Sequence, residues 1–307
     1  MSEKARRRRF MEEEDGRALP QSKLKGYLLL LRPKQWIKNF FVFAALLFSG
    51  NMEKLSYIAM AAFAFACFCV VSSVVYIFND MLDIEKDRKH PKKKNRPLAS
   101  GAVGKSEAVV MLILLTPVSV YFSFLIDTAF GLLIVLYLVN NVLYTLYVKN
   151  LVILDVMSIA LGFIIRVAGG AVAIRVGISP WLLLCTLLLA LFLGFSKRRN
   201  ELVVLQEDAE HHRTILQHYS LDFIDNMLSI VTASTVISYS LYTFFASADK
   251  LSMITIPYVL YGIFRYQYII YNKNLGESPE EVAISDKPLL INIILWVLTS
   301  VIILYRG

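Results

Sequence analysis

The sequence predicts an all-α integral membrane protein with nine transmembrane helices and its N-terminus inside the cell. Of its 307 residues, 57% are hydrophobic and 18% are charged, which is more apolar than the roughly 45–50% of an ordinary soluble domain. Nine long apolar runs and a bias of Lys and Arg toward one side support the same class. The composition excludes a disordered chain, a disulfide scaffold and a soluble nucleic-acid-binding domain.

The apolar runs are each close to the about 20 residues that cross a hydrocarbon core as a helix. A charge-block tail precedes them, since Arg6 to Arg9 are followed by Glu12 to Asp15. A segment with such blocks of charge cannot pack into a core, and the pattern therefore predicts disorder over residues 1–24. Residues 25–307 are predicted to form one membrane domain, with spans near 39–54, 57–79, 107–125, 128–147, 151–174, 180–195, 227–247, 253–271 and 288–305.

The distribution of Lys and Arg among the connections gives the orientation. With the N-terminus inside, the inside segments hold 26 of the 32 basic residues and the outside segments hold 4. Inside connections of membrane proteins carry this excess. The formal net charge of +8 is therefore mostly an orientation signal, and it is weaker evidence about substrate.

An acidic cluster lies at the inside end of the predicted second span. Asn79, Asp83 and Asp87 are spaced i, i+4 and i+8, which places them in one stripe of a helix with Asp80 beside it. Like charges at a helix C-terminus repel each other and oppose the helix dipole, so a positive partner is required. One alternative is a solvated helix end, salt-bridged by the flanking Lys86, Arg88, Lys89 and Lys92 to Lys94. The other is Mg²⁺ bridging to a diphosphate, with metal ligands Asn79, Asp83 and Asp87.

Several other polar residues fall on the same side of the predicted bundle. A basic residue at a span end is more often an interfacial residue than a ligand, and a Tyr there more often an aromatic anchor. An arginine inside a span is a functional candidate by default. Lys197 and Glu201 form either an i,i+4 ion pair or a cation and an acceptor presented together. The candidate ligands of phosphate groups or hydroxyls are Lys38, Tyr76, Arg96, Tyr144, Lys149, Arg166, Lys197, Glu201 and Arg265.

These motifs resemble the UbiA prenyltransferase superfamily of nine-helix membrane enzymes. Asn79-Asp-x-x-Asp83-x-x-x-Asp87, followed by Asn95-Arg-Pro-Leu-Ala-Ser-Gly101, is similar to the superfamily's first aspartate-rich motif. The second motif, Asp-x-x-x-Asp, is absent, because the corresponding place reads Ser196-Lys-Arg-Arg-Asn-Glu-Leu202. With the segments 32–39, 154–170 and 276–281, this departure resembles the decaprenyl-phosphate phosphoribosyltransferase branch. An extra cation at Lys197 suits a site for two phosphorylated substrates.

The resemblance implies a fold, a reaction and roles for residues. The fold is a helix bundle around a cavity that opens to the cytoplasmic side of the cell inner (plasma) membrane. The reaction is Mg²⁺-dependent transfer of 5-phosphoribose from phosphoribosyl diphosphate to a polyprenyl (decaprenyl) phosphate, in cell-wall biogenesis. It implies Asp83, Asp87 and Lys197 as catalytic residues. It implies substrate-binding roles for Lys38, Tyr76, Asp80, Arg96, Tyr144, Lys149, Arg166, Glu201 and Arg265.

Two other functions stay open from the sequence. A prenyltransferase that moves a prenyl group from its diphosphate to an aromatic or polar acceptor needs the same first motif, but the absent second motif counts against it. A transporter with an acidic cation site explains the spans and the intramembrane arginines, but not acids at a helix mouth. The polyprenyl length, the number of Mg²⁺ ions and the oligomeric state, a homo-oligomer included, are not determined by the sequence. No nucleic-acid partner is expected.

Overall fold

The computed structural model describes residues 23–90, 93–207, 214–246, 249–273 and 279–306. All regular structure in these ranges is helical, as the composition predicted. Most of the predicted tail lies outside the described residues, and its last two positions, Lys23 and Leu24, begin the first helix. The α-helices are α1 Lys23–Leu30, α2 Ala44–Phe48, α3 Leu55–Leu82, α4 Ile84–Lys89, α5 Lys105–Ile126, α6 Thr128–Leu146, α7 Leu154–Ala173, α8 Pro180–Glu207, α9 Leu221–Leu241, α10 Ile256–Lys273, α11 Pro279–Ser285 and α12 Lys287–Leu304.

Seven helices in the described part of the chain are long and apolar enough to cross a membrane. They coincide with the second to seventh and the ninth of the predicted spans. The first predicted span is instead a 3₁₀ helix, Pro33–Phe43, followed by the five residues of α2. The eighth corresponds to α10, which is 18 residues long but less apolar because it carries Arg265 and Gln267. The candidate spans are Leu55–Leu82, Lys105–Ile126, Thr128–Leu146, Leu154–Ala173, Pro180–Val203, Leu221–Phe245 and Lys287–Leu304.

Helices α3 and α7 form the centre of the molecule. Their most apolar windows are 56% and 61% buried, whereas the corresponding window of α5 is 11% buried and exposes Ile113 and Leu114. A soluble protein does not expose an apolar helix face of this size, so the outer face of α5 suits lipid. The chain is therefore a multi-pass membrane protein whose buried polar groups belong to the central helices.

Helices that follow each other in the chain pack side by side, from α5 through α6, α7 and α8 to α9, and α10 packs on α12. The Pro33–Phe43 helix packs on both α3 and α7 and also contacts α11. Near the end of α12, the Tyr305 hydroxyl accepts a hydrogen bond from Met52 N at 3.0 Å. The C-terminal helices thus return to the N-terminal segment and close the bundle.

Glycine at position 170 allows the Pro33–Phe43 helix to lie directly on α7. A Cβ at this position would stand 1.9 Å from the Val42 carbonyl oxygen, which belongs to the backbone and cannot rotate away. The N-terminal segment therefore reaches the protein centre only where α7 has no side chain. This contact brings Asn39 of the 3₁₀ helix beside Arg166 of α7.

We expect Gly170→Ala to lower the free energy of unfolding by about 3 kcal/mol, the upper end of the usual range for overpacking. The matched control is Gly177→Ala, because no atom lies within 4 Å of a Cβ at that position. Thermal unfolding in detergent measures both variants. Equal unfolding temperatures for the two would contradict the close contact between α7 and Val42.

Candidate active site

The acidic segment, residues 79–87, runs through a break between two helices. Helix α3 ends at Leu82, Asp83 has φ −100° and ψ 10°, and α4 begins at Ile84. The backbone keeps its i,i+4 hydrogen bonds, from Asp83 N to Asn79 O at 3.1 Å and from Asp87 N to Asp83 O at 2.8 Å. The predicted single stripe on one continuous helix is therefore interrupted at its middle residue. A helix end at this point is consistent with the cost of several acids at a C-terminus.

Two of the acids are buried and bind arginines. Asp80 is 2% exposed and Asp87 is 4% exposed. Arg32 forms a two-point salt bridge with Asp80, which includes an Nε to Oδ2 contact of 3.2 Å. Arg96 Nη1 donates to Asp80 Oδ1 at 3.2 Å and to Asp87 Oδ2 at 2.5 Å. Arg32 and Arg96 therefore compensate the buried pair, and the exposed Arg88 of the flanking basic run binds Glu85.

The other two acidic-segment residues have oxygen atoms that are less engaged. The partly buried Asn79 side chain makes no hydrogen bond to any residue that the structure describes. Asp83, with a side chain 21% exposed, has one polar side-chain contact within the described ranges, 3.4 Å from Oδ1 to Lys149 Nζ. Among the described residues no group of three or more His, Cys, Asp or Glu side chains is arranged to hold a metal. An amide and a carboxylate oxygen fit Mg²⁺, which takes one or two carboxylates and completes its shell with water and substrate phosphate.

The predicted Lys38 and Tyr76 lie together beside Arg32. Lys38 Nζ donates to Gln35 Oε1 at 2.7 Å, and the Tyr76 hydroxyl approaches the same oxygen at 3.4 Å. The Arg32 guanidinium lies 4.9 Å from the centre of the Tyr76 ring. Gln35 of the 3₁₀ helix thus joins Lys38 of the same helix to Tyr76 of α3. Arg32, the residue before Pro33, has a left-handed φ of 52°.

Arg166 lies in the interior of the bundle, as its position within a span predicted. It donates to Asn39 Oδ1 at 2.8 Å, to the Gly162 carbonyl at 2.9 Å and to the Tyr137 hydroxyl at 2.7 Å. The guanidinium also lies 4.8 Å from the Tyr137 ring centre. All of these partners are neutral, and no carboxylate among the described residues pairs with it. Arg166 therefore supplies an uncompensated positive charge close to the 3₁₀ helix.

In the segment 196–202 the most buried charge is Arg198, which the sequence analysis did not select. Arg198 is 1% exposed; its Nε donates to Asp155 Oδ2 at 2.7 Å, and its guanidinium also binds Glu201. The Tyr144 hydroxyl lies 3.3 Å from Arg198 Nη2. Two residues predicted to bind substrate, Tyr144 and Glu201, are thus engaged by Arg198, while Lys197 is partly buried beside it. Asp155 was the available signal, because an acid in an apolar helix requires a buried cation.

Arg265 lies apart from the groups above. Its Nε and Nη2 donate to the two carboxylate oxygens of Asp286, at 3.0 and 2.9 Å. Asp286 also caps α12 by accepting from Leu289 N at 3.1 Å. The structure therefore brings Arg96 and Lys149 to the acidic segment that contains Asp80, it places Lys38 and Tyr76 around Gln35 beside Arg32, and it joins Arg265 to the start of α12.

Comparison with known proteins matches residues 39–285 to the UbiA prenyltransferase family. Two similar proteins are named decaprenyl-phosphate phosphoribosyltransferase. The one from Corynebacterium glutamicum is 31% identical, with 96% of this chain and 91% of that protein covered. The one from Mycolicibacterium smegmatis is 30% identical, with 91% and 92% covered. Among solved structures, the fold is similar to a UbiA homolog from Archaeoglobus fulgidus bound to GPP and Mg²⁺, with TM-score 0.69, 19% identity and coverage of 92% of this chain and 100% of that one.

Proposed function

This chain belongs to the UbiA prenyltransferase family, and we propose that it transfers 5-phosphoribose from 5-phospho-α-D-ribose 1-diphosphate to a polyprenyl phosphate, decaprenyl phosphate in particular. The observation that carries the proposal is the similarity, over nearly the whole chain, to two proteins named for this activity. The chemistry of the site agrees with it. Both substrates carry phosphate groups, and Arg32, Arg96 and Lys149 contact the aspartates of the acidic segment, while Lys38 binds Gln35, which also contacts Tyr76 of α3.

Asn79 and Asp83 are the residues that would hold Mg²⁺ in this proposal. When bound, Mg²⁺ neutralises charge that develops on the departing diphosphate. Asp87 and Asp80 act through the arginines that they hold, because each carboxylate orients a guanidinium without leaving a buried charge uncompensated. Arg32 and Arg96 then present their remaining N–H groups to the phosphates of the donor.

The transfer itself requires little acid–base catalysis. An anionic oxygen of the lipid phosphate attacks C1 of the ribose, a new C–O bond forms there, and the bond from C1 to the diphosphate oxygen breaks. Lys38, Lys149, Arg166 and Lys197 would hold the donor phosphates and the lipid phosphate at attacking distance. Positioning and charge stabilisation supply most of the rate enhancement in such reactions.

The membrane arrangement is part of the same proposal. The segments 39–54 and 253–271 would complete nine spans around a cavity that opens to the cytoplasm of a cell with the site in its inner (plasma) membrane. The 26 to 4 distribution of basic residues supports this orientation. The polyprenyl tail would then lie along apolar helix faces in the bilayer while the phosphates meet at the inner surface.

A direct assay tests the function. Purified protein with Mg²⁺, labelled phosphoribosyl diphosphate and decaprenyl phosphate is expected to form a labelled phosphoribosyl lipid and to release diphosphate. Samples without the lipid, and samples with EDTA, are the controls and are expected to form no labelled lipid. Transfer of a prenyl group from prenyl diphosphate to an aromatic acid, without any phosphoribosyl lipid, would overturn the proposal.

A further inference from the structure

Ile153, at the end of the α6–α7 connection (residues 147–153), has an unusual backbone conformation. Its φ is 69° and its ψ is −48°, which is a region that a β-branched residue rarely adopts. Such a conformation persists only when the surrounding structure holds it. The neighbouring hydrogen bonds show which residue does so.

The Tyr219 hydroxyl holds both Ile153 and the first turn of α7. It accepts from Ile153 N at 2.6 Å and donates to Asp155 Oδ1 at 2.8 Å. The other Asp155 oxygen binds Arg198, and both charged side chains are almost fully buried. Burial and the adjacent Asp155 raise the pKa of the Tyr219 phenol, so the hydroxyl stays a neutral donor. The Tyr219 hydroxyl therefore both donates and accepts a hydrogen bond.

The same connection carries Lys149, which contacts Asp83. Lys149 lies in the 3₁₀ turn Val148–Asn150, four residues before Ile153, so the two are at most about 14 Å apart along the chain. This turn also contacts the 3₁₀ turn Thr214–His218, which leads into Tyr219. Ile215 and Leu216 of that second turn are buried in the same core cluster as Tyr219. The α6–α7 connection is therefore held at Asp83 by one end and at Tyr219 by the other.

We propose that Tyr219 is a positioning residue that fixes the α6–α7 connection so that Lys149 meets Asp83 at the acidic segment. Tyr219 does not touch the acidic segment itself, and its effect passes through Ile153 and the connection. The kinetic part of this inference rests on the function proposed above, in which Asp83 and Lys149 serve the phosphorylated donor. The structural part, the immobilisation of residues 147–153, stands independently of the reaction.

Amide hydrogen exchange tests the structural part. In the unmodified protein the Ile153 amide is expected to be protected although Ile153 precedes α7, and an unprotected amide would overturn the proposal without any variant. Tyr219→Phe is expected to speed exchange in residues 147–156 by about tenfold, the change that loss of one hydrogen bond to a charged group produces. Tyr271→Phe is the matched control, because its hydroxyl also donates to an aspartate, Asp225, at 2.8 Å. Equal exchange in the two variants would also overturn the proposal.

A double-mutant cycle tests the kinetic part. Tyr219→Phe is expected to raise KM for phosphoribosyl diphosphate by about tenfold, because the lost hydrogen bonds would no longer hold Lys149 in place, with a smaller change in kcat. In a Lys149→Met background the same substitution is expected to leave KM unchanged, because the positioned group is gone. A tenfold effect in both backgrounds would show general destabilisation and overturn the positioning role. If the unmodified protein transfers no phosphoribose, the proposed function fails, and hydrogen exchange still decides whether Tyr219 holds the connection.

Discussion

Replacing Asp83 with asparagine is expected to lower Mg²⁺-dependent transfer by about 10³-fold or more, with the protein still folded. Asp83 is the carboxylate that would hold the ion together with Asn79, and metal stabilisation of a leaving group contributes several kcal/mol to catalysis, at about 1.4 kcal/mol per tenfold in rate. The fold should tolerate the change, because the side chain is partly exposed and has one contact, 3.4 Å from Lys149. Turnover across a Mg²⁺ titration, with thermal unfolding of the same sample, measures both effects.

Glu85→Gln is the matched control for this substitution. Glu85 lies two residues away on α4, is exposed and binds the exposed Arg88, so loss of its charge should leave turnover within about twofold of the original value. Both variants remove one negative charge from the same end of the protein. Similar turnover by Asp83→Asn and Glu85→Gln would contradict the role of Asp83 in metal binding.

The fold was largely predictable because most spans are continuous apolar helices. Seven of the nine spans predicted from hydropathy coincide with helices that are long and apolar enough to cross a membrane. The first predicted span is not among these seven for a reason that hydropathy does not contain: residues 33–43 form a 3₁₀ helix that begins at Pro33 and lies against α7 where Gly170 leaves space. That geometry depends on a contact between residues more than 100 positions apart. The eighth predicted span corresponds to the continuous helix α10, which is less apolar because it carries Arg265, and the partner of Arg265 is Asp286, the cap of α12.

The sequence predicted which types of residue form the candidate site, but not which acid pairs with which cation. The spacing of Asn79, Asp83 and Asp87 indicated a cluster that requires positive charge, and the structure brings Arg96 to it. Spacing could not identify Arg32 as the second partner, because Arg32 lies 48 residues before Asp80. The spacing also indicated Lys197, whereas the buried cation is Arg198. Neighbouring residues on a helix point about 100° apart. The packing of adjacent helices therefore decides which of the two is buried.

Arg198→Met is expected to lower the free energy of unfolding by about 3–5 kcal/mol, the usual cost of removing one partner from a buried ion pair. Asp155 has no exposed surface, and without Arg198 its charge would keep only the hydrogen bond from Tyr219. Methionine retains most of the volume, so the loss should come from the uncompensated charge rather than from a cavity. Thermal unfolding in detergent at one pH measures it, and Lys23→Met, which breaks an ion pair with an exposed lysine, should leave the unfolding temperature unchanged.

A second substitution separates charge from packing in this prediction. Asp155→Asn removes the buried negative charge and keeps an acceptor for Tyr219, so the double variant Asp155→Asn with Arg198→Met should be more stable than Arg198→Met alone. A loss caused only by packing would instead make the double variant at least as unstable as the single one. Greater stability of the double variant would mean that Asp155 and Arg198 neutralise each other, and that Arg198 holds α8 against α7 beside the connection that carries Lys149.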